Sequence, residues 1–186
     1  MIDFLSTRRA AIALAGAIAL VAAFSGSSRA ADAVTPSALK AAFLFNFVKF
    51  ADWSGVPPSA TLVLCVANDA QITAALADSV RGQAIDGHPL EARRLTSDSP
   101  VLPCHLLFVP AAAMRQMLTK MYSGMETLLT VSDEPGFARS GGLIELFQEN
   151  GRMRFAINVD TARRSGVRLS SRLLDLAKII RSDHGQ

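Results

Sequence analysis

Thr61-Leu62-Val63-Leu64-Cys65-Val66-Ala67, followed at once by Asn68-Asp69, decides the fold of this chain. Six apolar residues follow Thr61 without polar alternation over the length of one strand, and with Thr61 the run holds three β-branched residues. Such a run is expected where a strand is covered on both faces. Asn68-Asp69 then offers a side-chain oxygen to the free amides of a helix over 70–80. A buried strand running into a capped helix opens an α/β unit.

The same grammar recurs outward from this unit. Residues 82–87 form a glycine-bounded break, and residues 88–95 alternate enough to be a second strand. The Ser97-Asp98-Ser99-Pro100 loop leads to Cys104-His105-Leu106-Leu107-Phe108-Val109, a further buried strand. Pro110 opens a helix over 111–121, and residues 127–131 supply the next strand. Upstream, Thr35-Pro36 is an N-cap followed by proline at the first helical position. The helix it starts is apolar from 38 to 53, with Asn46, Lys49 and Asp52 along one side, until Gly55-Val56-Pro57-Pro58 breaks it.

Downstream the rhythm changes. Residues 143–147 and 152–157 are strand-like and joined by Gln148-Glu149-Asn150-Gly151, where Asn-Gly is the strongest short hairpin signal. Asp160 is placed to cap a short helix ending near Gly166. Ser170 or Ser171 is placed to cap a final helix through Arg181, with Leu173, Leu174, Ala177 and Ile180 on one face. The whole predicts an α/β fold with a mainly parallel sheet sandwiched by helices, Rossmann-like, and a C-terminal β-hairpin.

Of 186 residues half are apolar and 19% charged, with 12 Gly, 8 Pro and two Cys. This composition excludes disordered, collagen-like and disulfide-dense classes, and two cysteines cannot make a four-thiolate zinc site. Part of the apolar excess lies in residues 1–30. There Arg8-Arg9 precedes an uncharged run over 10–24, then Ser25-Gly26-Ser27-Ser28 and the small-x-small triplets Ser28-Arg29-Ala30 and Ala31-Asp32-Ala33. That order is a bacterial-type secretory signal peptide with cleavage near Ala30 to Ala33, which leaves a single domain over 31–186 for export. The run falls short of the roughly 20 residues of a membrane span, although an uncleaved signal anchor is the alternative.

Without the leader, sixteen basic residues face fifteen acidic ones, so the balance gives no reason to expect nucleic acid. One asymmetry survives: residues 151–186 hold eight Lys or Arg against three Asp. These are either solvated faces or a surface toward an acidic partner.

Cys65 and Cys104, delivered to an oxidising compartment, are either a disulfide or two buried thiols. His88, His105 and His184 fall in no Gly-x-Ser-x-Gly or His-Glu-x-x-His pattern, and glycine-rich phosphate loops are absent. No cofactor, metal or catalytic residue is therefore assigned, and no enzyme activity. The richest local signal is Leu129-Thr130-Val131-Ser132-Asp133-Glu134-Pro135-Gly136-Phe137. It places Ser132 and Asp133 at the carboxyl end of a strand, where open α/β sheets form crevices. With Gly141, Gly142 and Asn158 they make a tentative ligand-binding site. The plainer alternative is a capped turn, with Phe137 plugging the core.

The order Lys40-Ala41-Ala42-Phe43-Leu44-Phe45-Asn46-Phe47-Val48-Lys49-Phe50, Trp53, Pro57, Cys65 and Cys104-His105-Leu106-Leu107-Phe108-Val109 resembles the YfiR family of periplasmic proteins. So do Leu129-Thr130-Val131-Ser132-Asp133, Gly136-Phe137-Ala138, Gly141-Gly142-Leu143-Ile144, Arg154-Phe155-Ala156-Ile157-Asn158 and Leu169-Ser170-Ser171-Arg172-Leu173-Leu174-Asp175-Leu176-Ala177. The resemblance implies a small α/β sandwich, often a homodimer, that is not an enzyme. It implies a regulator that binds and represses the periplasmic sensor domain of an inner-membrane diguanylate cyclase, controlling cyclic-di-GMP and biofilm formation. An outer-membrane lipoprotein would sequester it. Cys65 and Cys104 match the family's core disulfide by position; the second pair of some members is missing here, which weakens the case for a redox switch. The alternative is a periplasmic small-ligand-binding or receptor-accessory module.

Overall fold

The computed structural model describes residues 34–96, 99, 104–116 and 127–182. Val34–Gln186 form one compact unit. Thr35 caps α1 (Pro36–Lys49), its hydroxyl accepting from the Ala38 amide, and Asp69 caps α2 (Ala70–Val80) by accepting from Ile72. Between them β1 (Leu62–Ala67) is buried along its whole length. Then come β2 (Ala84–Ile85), β3 (His88–Leu95), β4 (Leu106–Val109) and β5 (Leu129–Ser132). The chain closes with β6 (Ile144–Glu149), β7 (Arg152–Asn158), α3 (Val159–Arg164), α4 (Ser171–Leu176) and β8 (Lys178–Ile180).

All eight strands share one sheet, in the order β2-β3-β1-β4-β5-β6-β7-β8. From β3 to β6 every pair is parallel; β2–β3 and β6–β7 are antiparallel, and β7–β8 is parallel again. The α/β class, the mainly parallel sheet and the β6–β7 hairpin thus follow the sequence. Successive strand residues point to opposite faces, and the core divides accordingly. Leu62, Leu64 and Val66 pack with Phe47, Leu76 and Phe108 beneath α1 and α2. Val63, Cys65 and Ala67 pack on the other face with Cys104, Met114 and Phe137.

Several expectations are corrected. The first helix stops at Lys49, not Trp53, because Phe50 to Asp52 turn aside to pair with Arg168 to Ser170, and the Trp53 indole donates to the freed Val48 carbonyl. Residues 82–87 contain β2, turned back by Asp86 and Gly87, both at positive φ as in a two-residue hairpin. Cys104 lies ahead of β4 rather than opening it. The helix expected over 111–121 begins as a 3₁₀ turn, Ala111–Ala113, and its span from 117 lies outside the described residues. The cap of α3 is Asn158, not Asp160. The final helix, capped by Ser170, ends at Leu176, and Lys178–Ile180 leaves it as a strand because β7 offers an open parallel edge.

Candidate functional site

The chain runs from β1 through α2 to β3 on one side and then crosses to β4 on the other. The carboxyl ends of β1 and β4 therefore mark the topological switch point, where α/β sheets open a crevice. Side chains span it here. Asn68, at φ 51°, donates from Nδ2 to Gln116 Oε1 at 2.9 Å. The Ser132 hydroxyl, fully buried, donates to the Val109 carbonyl at 2.6 Å and accepts from the Glu134 amide at 3.0 Å. Asp133 Oδ1 accepts from the Ala111 amide at 2.7 Å, and Oδ2 pairs with Lys40 Nζ, reaching in from α1.

Gly141, Gly142 and Asn158 gather around the neighbouring loop. Gly141 sits at φ +98°, a backbone region that suits glycine. A Cβ on Gly142 would lie 2.2 Å from the Phe137 ring, so this glycine exists to seat Phe137 in the core. Asn158, fully buried, ends β7 and begins α3: its Oδ1 accepts from Asp160 and Thr161 amides, while Nδ2 donates to the Ala138 carbonyl at 2.6 Å and to Ser182. The Glu145 carboxylate completes the clamp, accepting from the Gly136 and Ala138 amides at 3.0 Å each. The structure brings Ser132 and Asp133 together with Lys40, and the other three together with Glu145; the polar groups of both sets are engaged within the fold. Lys40 and Glu145 were missed from sequence. A lysine in an apolar helix and a glutamate in an alternating strand look like ordinary solvated residues until the fold supplies their partners.

Cys65 and Cys104 form a disulfide, with Cα atoms 5.8 Å apart and a sequence separation of 39. It lies among the apolar residues of the face opposite α1 and joins β1 to the segment that enters β4. Next to Cys104 at the amino-terminal end of β4, His105 Nδ1 accepts from the Val63 amide at 3.0 Å, and the ring packs edge-on against Trp53. Burial, and secondarily the charge of His88, hold the His105 pKa below its ordinary value. An imidazole whose Nδ1 accepts a backbone hydrogen bond is the neutral Nε2–H tautomer, and a proton on Nδ1 would face the Val63 N–H. His88 Nδ1 lies 2.9 Å from the Ala60 carbonyl, and His184 is outside the described residues.

Two clefts flank Val167 to Ser170. The larger, about 630 Å³, has an apolar wall of Val159, Ala162, Val167 and Leu174 with Arg163 and Arg168 at its rim. The smaller, about 310 Å³, lies against Lys49 to Asp52. Arg168 divides them, pairing with Asp52 at 2.7 Å and donating to Ser54. The Ser54 backbone amide, then its side chain, and then Arg168 hold the Asp52 carboxyl below the usual carboxylate range.

Fold and site together define a small α/β scaffold, stapled through its sheet by one disulfide, whose side chains at the sheet's carboxyl ends are turned inward. The chain belongs to the YfiR/HmsC-like family, whose profile matches residues 37–178 and so takes in every element from α1 to the start of β8. Among curated proteins no relative matches it.

Proposed function

We propose that this protein is a periplasmic regulator that binds and represses the sensor domain of an inner-membrane diguanylate cyclase, and so lowers cyclic-di-GMP and restrains biofilm formation. The observation that carries this reading is the family match over 37–178. Two features agree with it. Among the described residues no helix is long and apolar enough to cross a membrane, and the leader over residues 1–30 reads as an export signal. The side chains of Ser132, Asp133 and Asn158 are engaged in internal hydrogen bonds, so no role in recognition is assigned to them. A homodimer, and sequestration by an outer-membrane lipoprotein, belong to the same proposal.

The test is intracellular cyclic-di-GMP after deletion of the gene, with the wild-type chain and a leaderless version restored in turn. A rise on deletion that only the exported form reverses is the expected result. An unchanged level would sink the cyclase reading and favour a small-ligand module, for which the 630 Å³ cleft beside Val167 is the supporting observation.

A further inference from the structure

The two ends of the sheet are finished differently. At one, β2 is two residues long and is turned straight back by Asp86-Gly87. At the other, among the described residues, β8 is the last strand and pairs with β7 alone. An edge strand presents unpaired N–H and C=O groups, and natural sheets shorten, charge or cover such edges. Here the edge carries apolar surface instead of losing it. Among the described residues three large apolar side chains are exposed, and two of them belong to this end: Ile179 at 43% on β8, and Leu176 at 70%, which closes α4 two residues before it.

The charges on residues 171–182 are mostly basic, with Asp175 the one carboxylate among three cations. Arg172, Lys178 and Arg181 have no carboxylate partner among the described residues; Lys178 rests only over the Phe147 ring. A second copy pairing antiparallel about Ile179-Ile180 would set Lys178 of each copy against Arg181 of the other, and like charges opposed across strands destabilise pairing. An extended segment that alternates apolar and acidic residues meets every feature: its backbone completes the free edge, its apolar side chains cover Leu176 and Ile179, and its carboxylates face the cations. We infer that β8 is a docking edge, onto which an acidic, apolar-alternating segment of a partner protein adds as a ninth strand. The inference rests on the reading of this chain as a protein-binding regulator, not on the partner being a cyclase.

The test uses the full mature chain and fluorescence anisotropy of labelled eight-residue peptides that alternate isoleucine with glutamate, or isoleucine with lysine. The glutamate peptide should bind at least tenfold more tightly than the lysine peptide. N-methylation of its alternate amides should weaken it by a similar factor, and Lys178→Glu with Arg181→Glu should reverse the preference. Circular dichroism of the variant checks that it folds. Equal binding of the two peptides, indifference to N-methylation, or an unchanged preference in the variant would overturn the inference. So would a dimer of the wild-type chain that sedimentation shows to be lost on Leu176→Ser with Ile179→Thr, since the edge would then belong to a second copy.

In cells the two readings separate. If deletion raises cyclic-di-GMP and the charge-reversed variant restores it fully, the cyclase reading stands, the cyclase does not dock on this edge, and the peptide measurements decide the edge. If deletion leaves cyclic-di-GMP unchanged, the cyclase reading falls and the peptide measurements decide the edge by themselves.

Discussion

The centre of the sheet and its C-terminal end are built on different terms. β1, β4 and β5 are buried at every position and pair in parallel with neighbours on both sides. They carry no charged residue, and a disulfide ties the first of them to the chain entering the second. β6, β7 and β8 are buried on part of their length, carry charge (Glu145 and Glu149 on β6, Arg152 and Arg154 on β7, Lys178 on β8), and end in a strand paired, among the described residues, on one side. Burial drives folding in proportion to the apolar area removed from water. The centre therefore supplies most of the stability, and the end, with less to lose, is free to keep apolar and basic groups outside. A domain that must be both rigid and adhesive can divide the tasks along one sheet.

The sharpest way to break this contrast is at the disulfide. Replacing Cys65 and Cys104 together by serine should cost about 4 kcal/mol, the loop-entropy value for a closure of this length. Melting should fall by about 10 °C for a domain of this size; an unchanged calorimetric midpoint would mean that packing alone holds the centre. Asn158→Ala should cost about 2 kcal/mol through loss of a helix cap and of buried hydrogen bonds, measured by denaturant unfolding. A cost near zero would show the end to be looser than these hydrogen bonds imply. Glu145→Gln keeps one acceptor oxygen for the Gly136 and Ala138 amides and should cost about 1 kcal/mol, with faster hydrogen exchange at those two amides.

His105 gives the centre a pH signature. Its folded pKa lies below the model-peptide value of 6.5, so the folded state binds fewer protons than the unfolded chain as pH falls past that point. Its contribution is present above pH 6.5 and is lost as pH falls toward the folded value. His105→Gln should flatten that slope in a pH series of unfolding midpoints. The smallest effect belongs to the end: Leu176→Ser should change stability by less than about 0.5 kcal/mol, as surface substitutions usually do. A larger loss would show Leu176 to be part of the core.

Legibility from sequence followed the same divide. β1 and α2 could be read from local signals alone, because an unbroken apolar run and an Asp69 cap act over a few residues. The terminus could not. Lys178-Ile179-Ile180 continues an apolar helical pattern, and only the open edge of β7 makes it a strand. Trp53 was apolar enough to prolong α1, and its role as a donor to Val48 depends on a turn made by residues more than a hundred positions away. In the candidate site Ser132 and Asp133 were placed correctly at a strand end, but the lysine that engages Asp133 comes from α1, 93 residues earlier. Asn158 was visible as a residue and invisible as a junction.

That junction has a mechanical consequence. Ser182, just past β8, is held by the Asn158 side chain and by Asp160, and the same Asn158 grips the Ala138 carbonyl beneath Phe137. A pull on the end of the chain would not simply unzip the last strand. It would load Asn158 first and pass through Ala138 to the ring that plugs the opposite face, so that tension at the rim is felt as loosening beside the disulfide.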